Sequence, residues 1–325
     1  MAVPSATASV VEAELSADLG EGSIWDERCK RLLWLDINGA QLYRYDPALA
    51  STEQFDLSGT SKFISSVVPV AGMSANKVGV TVREGFAIFD MEAGTVLKLP
   101  GNPPVRALER FNDAKVDPAG RYWGGTLVRD EEGGFVEEGG SLYRCGADGA
   151  VLKVPDIAAA TISNGIAWSK DATTMYYIDT PNKRVDALDF DVKTGEVSNR
   201  RPCITGFSFE TTGVPDGCCL DCEGMLWVAR FNGGCVGRYD PSSGQCLAEV
   251  HVPESAGKQV TSVAFGGIDL EDLYLTTARE SMPKEEAEAR GWPHAGCLFR
   301  LTQAELKKLG AVGGHPVNAW CVPPT

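Results

Sequence analysis

The stretch "NGIAWSKDATTMYYIDT" (residues 164–180) has a counterpart early in the chain, "EGSIWDERCKRLLWLDI" (residues 21–37). Without a gap, Gly165 aligns with Gly22, Trp168 with Trp25, and Asp179 with Asp36. Similarity between distant segments of one chain is the signature of a repeat architecture. The chain is therefore best interpreted as a set of related units.

Four further segments follow the same course, and the six units start near residues 21, 65, 112, 164, 216 and 261. The starts are 44, 47, 52, 52 and 45 residues apart. Within each unit, short β-branched or aromatic runs alternate with turns such as "DPAG" (residues 117–120). Four antiparallel strands in about 45 residues form one propeller blade. We predict an all-β, six-bladed β-propeller that occupies residues 1–325 as one domain.

The sequence also predicts how the ring closes and where a short helix lies. A closing strand is expected either near residues 9–15 or near residues 318–322, and the pattern does not choose between them. The segment "MPKEEAEARGW" (residues 282–292) predicts a short helical insertion. This insertion and the loop at residues 129–140 are the two candidates for partly covering the central channel.

Composition limits the classes of partner. The 325 residues carry a formal net charge of −14, which disfavours nucleic acid and anionic membrane surfaces. No apolar run is long enough for a membrane-spanning helix, and the first residues lack the features of a secretory signal. We expect a cytoplasmic protein, a monomer or weak oligomer, whose ten cysteines are reduced.

The repeat places six residues at one equivalent position on the innermost strands. They are Glu21, Ser65, Asn112, Asn164, Asp216 and Thr261. Four of the six present carboxylate or amide oxygens, which hard divalent cations bind readily. Turn formation explains any one of these four residues, as it does in Asn-Gly and Asp-Gly pairs, but it explains all four at one position poorly. We therefore predict a divalent cation site in the channel.

Several motifs resemble the gluconolactonase/regucalcin (senescence marker protein) family, which includes luciferin-regenerating proteins. They are "LGEGSIWD", "RFNDAKVDPAGRYWGGT", "ISNGIAWS", "VPDGCCLD" and "LWVARFNGG". The resemblance runs from about Leu19 to Arg300 and implies a six-bladed propeller that hydrolyses sugar lactones to aldonic acids. It also implies one catalytic divalent cation, for which Ca²⁺, Zn²⁺, Mn²⁺, Mg²⁺ and Fe²⁺ all stay open.

The same resemblance implies roles for individual residues. Glu21, Asn164 and Asp216 are the implied metal ligands, while Arg110 and Asn112 are implied to contact the substrate. An acidic residue after "GGT" is a further implied substrate contact, and Asp130 aligns best without a gap, with Glu131 and Glu132 as alternatives.

Asp216 is also the predicted general base, since a carboxylate can contact both the cation and a water molecule. No G-x-S-x-G elbow is present, and His251, His294 and His315 are expected to be structural or surface residues. The alternatives are a calcium-binding regulatory propeller without turnover, a scaffold for a protein partner, and a hydrolase of organophosphates.

Overall fold

Short strands follow one another along nearly the whole chain. The computed structural model describes residues 2–157, 159–280 and 282–322. Two short strands come first, β1 (Ser5–Thr7) and β2 (Ser9–Val10). The strands of blade one are β3 (Gly20–Asp26), β4 (Arg31–Asp36), β5 (Gln41–Asp46) and β6 (Ser51–Asp56). Those of blade two are β7 (Ile64–Pro69), β8 (Lys77–Val82), β9 (Gly85–Asp90) and β10 (Thr95–Lys98).

Blades three to five repeat this order. Blade three contains β11 (Glu109–Val116), β12 (Tyr122–Val128), β13 (Leu142–Cys145) and β14 (Val151–Lys153). Blade four contains β15 (Ser163–Trp168), β16 (Thr174–Asp179), β17 (Val185–Asp191) and β18 (Glu196–Ile204). Blade five contains β19 (Val214–Leu220), β20 (Leu226–Phe231), β21 (Cys235–Tyr239) and β22 (Cys246–His251).

The sixth blade combines both ends of the repeat region. Its strands are β23 (Val260–Gly266), β24 (Asp272–Thr277) and β25 (Leu298–Leu301), and β2 supplies the fourth. The described residues also form two short α-helices, α1 (Lys284–Ala289) and α2 (Gln303–Lys308). The predicted helical insertion is confirmed by α1. No helix among these residues is long and apolar enough to cross a membrane.

The strands of the described residues form six sheets, and consecutive strands within each blade pair antiparallel. The first strands β3, β7, β11, β15, β19 and β23 contact one another in sequence, and β23 contacts β3 again. This closed set of contacts makes them the innermost strands of a ring. The predicted six-bladed β-propeller is confirmed, and each predicted blade start lies within a first strand.

The N-terminal segment closes the ring. Ser9 of β2 pairs antiparallel with Arg300 of β25, and Ser5 of β1 pairs parallel with Glu249 of β22. Of the two closing segments left open by the sequence, the N-terminal one supplies the strand. The C-terminal segment packs against blade two instead. Trp320 donates its backbone N–H to Pro69 O over 2.8 Å, and its ring is fully buried.

A turn motif shared by blades three and five accounts for part of the repeat. Asp117 Oδ1 accepts hydrogen bonds from Ala119 N (2.9 Å) and Arg121 N (3.0 Å), and its Oδ2 accepts one from Trp123 Nε1 (2.9 Å). Asp221 makes the same type of bond to Trp227 Nε1, over 3.1 Å. An aspartate six residues before a buried tryptophan thus stabilises the turn and also fixes the position of the indole ring.

Candidate active site

A bulge interrupts each first strand at an equivalent place. In five blades, two residues of the first strand lie opposite one residue of the second strand. In blade two, the first strand contains one extra residue. The pairing shifts between Glu21 and Ile24, Ile64 and Ser66, Phe111 and Ala114, Ser163 and Ile166, Pro215 and Cys218, and Val260 and Val263. Bulges redirect side chains and are frequent beside active sites. The bulges therefore decide where the residues of the repeated position point.

One cavity of about 500 Å³ brings together the predicted oxygen-bearing residues. Glu21, Asn112, Asn164 and Asp216 all line it, and Arg110 lies beside them. Two members of the repeated position behave differently. Ser65 and Thr261 are buried but are not part of this lining, and Thr261 Oγ1 donates to Gly20 O instead. The cavity is thus asymmetric, because the residues of the repeated position that line it come from four of the six blades.

Hydrogen bonds fix the orientation of both amides. Asn112 Oδ1 accepts from Arg110 Nη1 over 2.7 Å, and Asn112 Nδ2 donates to Ser163 O over 2.9 Å and to Asn164 Oδ1 over 3.1 Å. Asn164 Nδ2 donates to Thr180 Oγ1 over 2.8 Å, and that hydroxyl donates to Pro215 O over 2.8 Å. Asn164 Oδ1 accepts one of these bonds, so it keeps a second lone pair for a ligand in the cavity.

The two carboxylates of the cavity are buried, and their burial outweighs the effect of the nearby basic side chains. Glu21 and Asp216 are only 5% and 6% exposed, and burial raises the pKa of each. The neighbouring carboxylates add to this effect, since Glu21 raises the pKa of Asp216 and Asp113 raises both. Glu21 Oε2 accepts from Gly22 N over 2.9 Å. Asp216 Oδ1 has no hydrogen-bond partner among the described residues, and Lys115 and Arg110 offset only part of the rise in the pKa of Glu21.

Arg110 is held rigidly at the side of the cavity. It is 6% exposed, its Nη1 also donates to Phe111 O over 2.8 Å, and its guanidinium lies 5.6 Å from the centre of the Phe63 ring. Burial lowers the pKa of Arg110 to about 10. The side chain therefore stays cationic at neutral pH and offers its remaining N–H groups to a ligand.

Asp130 takes a different place in this structure. Its Oδ1 accepts hydrogen bonds from Glu132 N (3.0 Å) and Gly134 N (2.7 Å), so the carboxylate caps the turn of its own exposed loop. Asp130 is not among the residues that line the cavity, whereas Arg129 and Phe135 of the same loop are. Of the two candidate covers, the loop at residues 129–140 reaches the cavity. The role of Asp130 stays a prediction.

Thr180, Arg129 and Glu280 also line the cavity and were not found from the sequence. All three follow the end of a second strand, namely β16, β12 or β24. In an antiparallel pair the end of the second strand lies beside the start of the first. Polar residues that directly follow the second strand of a blade were therefore the sequence feature that could have identified these three residues.

The donor set fits a divalent cation. The described residues contain no group of three or more His, Cys, Asp or Glu side chains placed for metal binding. The candidate set instead combines the carboxylates of Glu21 and Asp216 with the amide oxygen of Asn164. All are oxygen donors, as hard cations prefer, and the unpartnered Asp216 Oδ1 together with the raised pKa values marks a deficit of positive charge.

The three histidines lie elsewhere. His251 contacts Glu249 over 3.2 Å on the outer strand β22, and His294 Nδ1 is 2.9 Å from Ser255 Oγ. His315 lines a separate cavity of about 360 Å³ that contains Lys115. None of them lines the cavity of Glu21 and Asp216.

Comparison with known proteins agrees with this architecture. Residues 19–279 match the description "SMP-30/Gluconolactonase/LRE-like region". A Bacillus subtilis protein whose name describes a sugar lactone lactonase, YvrE, is 38% identical over 291 residues, which cover 90% of this chain and 93% of that protein. Regucalcin of Danio rerio is 38% identical over 294 residues, covering 89% and 92%.

A solved structure, described as a calcium-binding protein, regucalcin, from Agrobacterium tumefaciens, superposes with a TM-score of 0.81 at 28% identity, covering 98% of this chain and 99% of that one. The match over residues 19–279 and the near full-length relatives agree with the family that the sequence motifs indicate. The chain belongs to the SMP-30/gluconolactonase/LRE-like family.

Proposed function

We propose that this protein is a lactonase that uses one divalent cation to hydrolyse sugar lactones to aldonic acids. The observation that carries the proposal is the buried pair of carboxylates, Glu21 and Asp216, beside the fixed amide of Asn164 in one cavity, with Asp216 Oδ1 lacking a hydrogen-bond partner among the described residues. A relative named as a sugar lactone lactonase and a structural relative described as calcium-binding support it.

Glu21, Asn164 and Asp216 are the residues that would hold the cation. When bound, a divalent cation acts as a Lewis acid toward an ester carbonyl and makes water more acidic. Ca²⁺, Zn²⁺, Mn²⁺, Mg²⁺ and Fe²⁺ are the candidates, and oxygen-only ligation favours the harder ions among them.

Asp216 acts as the general base in this proposal. As water attacks the carbonyl carbon, Asp216 takes one of its protons, and the ring ester C–O bond then breaks. The proton returns to the ring oxygen, which becomes the alcohol of the aldonic acid. The Oδ1 atom of Asp216 has no hydrogen-bond partner among the described residues, so it is free to take this proton.

Arg110 and Asn112 orient the lactone. Both are buried and mutually hydrogen-bonded, so little side-chain freedom is lost when a substrate binds. The free N–H groups of Arg110 are suited to the hydroxyls of the substrate and to the carboxylate that forms in the product. Asp130 is a proposed additional contact, to be tested by the effect of Asp130→Asn on KM.

The experiment measures the hydrolysis of a panel of aldonolactones through the protons released. It is carried out with each candidate cation and with a chelator. We expect turnover that requires a cation and falls by at least about 100-fold in Asp216→Asn. Asp171→Asn, on the exposed turn after β15, is the matched control. Cation binding without turnover of any lactone would favour the alternative, a calcium-binding regulatory propeller.

A further inference from the structure

Apolar side chains make up a large part of the cavity lining. Phe135, Phe209, Phe231, Ile162 and Val214 all belong to its lining. Glu21 and Asp216, at 5% and 6% exposure, lie deep, whereas Phe135 and Phe209 are 39% and 48% exposed. The more exposed part of the lining therefore includes two large aromatic rings, next to the charged side chains of Arg129, Lys183 and Glu280.

Phe209 is exposed although its loop is firmly held. Asn232 Nδ2 donates to Phe209 O over 2.9 Å, and Ser208 N donates to Thr212 Oγ1 over 2.8 Å. Ser208 and Gly213 also form a backbone bridge at the base of the loop. A fixed backbone that presents an aromatic ring to solvent at a cavity mouth is typical of a ligand contact.

Phe135 lines the same cavity from a different loop. The guanidinium of Arg129 lies 4.3 Å from the centre of its ring, which restrains the ring beside the cavity. Phe135 and Phe209 come from two separate loops, those after β12 and β18. Both place a large apolar surface on the same opening.

The exposed rings of Phe135 and Phe209 suit an apolar group better than a second hydroxylated one. Hydroxyls of a sugar would lose water against phenyl rings without gaining hydrogen bonds, which costs free energy. An alkyl or aryl group would gain from the same transfer, by about 0.8 kcal/mol for each buried methylene, or roughly fourfold in binding. The base of the cavity would still receive the ester.

We propose that the mouth of the cavity binds an apolar substituent, so that lactones carrying an alkyl or aryl group are a second substrate class of this protein. The inference rests on the proposed lactonase function and extends it. In the reaction, the oxygen of water bonds to the carbonyl carbon and the ring C–O bond breaks. The ring oxygen receives the proton, which yields a hydroxy acid with the apolar group attached.

The test compares γ-butyrolactone with a γ-lactone that carries a five-carbon alkyl chain beside the ring oxygen. We expect kcat/KM to be at least about tenfold higher for the alkyl lactone. In Phe209→Ala and Phe135→Ala, the ratio of kcat/KM for the alkyl lactone to that for glucono-δ-lactone should fall by about fivefold. Leu152→Ala, at an exposed site on blade three, should leave this ratio unchanged.

Equal kcat/KM for the two γ-lactones, or an unchanged ratio in both phenylalanine variants, would overturn the inference. Binding of the corresponding alkyl-substituted lactam, measured by calorimetry, separates it from the proposed function. Lactam binding with a negative heat-capacity change, weakened in Phe209→Ala, supports the apolar mouth even if no lactone is hydrolysed. Hydrolysis of aldonolactones without lactam binding would retain the lactonase and refute the apolar mouth.

Discussion

The Oδ1 atom of Asn164 accepts a hydrogen bond from Nδ2 of Asn112 over 3.1 Å. The two residues are 52 positions apart and occupy equivalent places in neighbouring blades. Since Arg110 fixes Asn112 and Thr180 fixes the other end of Asn164, the amide oxygen predicted to bind a cation is held from both sides.

Replacing Thr180 tests this arrangement. Thr180→Val keeps the shape of the side chain but removes the acceptor of Asn164 Nδ2 and the donor to Pro215 O. We expect cation affinity to fall by about 10-fold to 100-fold, as for other groups that orient metal ligands, which calorimetric titration would measure. Thr180→Ser keeps the hydroxyl and should bind nearly as well as the wild type. Equal affinities in all three proteins would refute the orienting role.

The buried carboxylates predict an unusual pH dependence for the cation-free protein. Because the pKa values of Glu21 and Asp216 are raised on folding, the folded state holds more protons than the unfolded state above the ordinary carboxylate range. Their stabilising contribution is complete below that range and is lost as pH rises through the folded pKa values. The free energy of unfolding in chelator, measured with urea, should therefore fall between about pH 5 and pH 8.

Asp216→Asn should make the cation-free protein more stable and at the same time inactive. It removes a buried charge, so the cation-free variant should be more stable than the wild type at pH 8 by about 1–3 kcal/mol, while activity is lost. Its unfolding free energy should also vary less between pH 5 and pH 8. A variant that is less stable than the wild type at pH 8 would show that the charge is compensated in another way.

Cation binding should stabilise the folded protein. A ligand at 100 times its Kd adds about 2.7 kcal/mol to the free energy of unfolding, and the Tm rises accordingly. Glu21→Gln should lose most of this shift because it removes one of two carboxylates from the site, and Glu285→Gln, on the exposed face of α1, should keep it. A full shift in Glu21→Gln would remove Glu21 from the ligand set.

Trp320 predicts a structural role for the C-terminal segment. Its ring is fully buried, lies 5.2 Å from that of Tyr122, and covers Gly79, where a Cβ would come within 2.6 Å of the indole. Trp320→Ala should lower the free energy of unfolding by about 3–5 kcal/mol. Val312→Ala, at a site 53% exposed, should change it by less than about 0.5 kcal/mol. Both values follow from urea titrations.

The sequence predicted the propeller well because the blade pattern is local. The gapless match between residues 21–37 and 164–180 records pairs such as Trp25 and Trp168, which occupy the same place in their strands. Aspartates such as Asp117 and Asp221 fix equivalent turns, so the pattern survives although most other residues differ. The register also indicated Glu21, Asn112, Asn164 and Asp216, whose proposed roles await the experiments above.

The rest of the site depends on contacts between blades, which a repeat pattern does not contain. Thr180 becomes important only because Pro215 of the next blade accepts its hydrogen bond. Phe209 belongs to the irregular connection between blades four and five, outside the strands that carry the repeat pattern. Asp130 illustrates the same limit, since an alignment gives its position in the chain but not whether its loop turns the carboxylate toward the cavity or toward its own backbone.

Closure of the ring by the N-terminal strand limits how early the propeller can finish folding during synthesis. Ser9 is synthesised early, but its partner Arg300 follows about 290 residues later. At about 5–20 residues per second, the first strands wait roughly 15–60 s for that partner. During this interval the nascent chain carries an incomplete ring with open strand edges. The ring, and with it the full set of neighbours around Glu21, becomes complete only when nearly the entire chain has emerged.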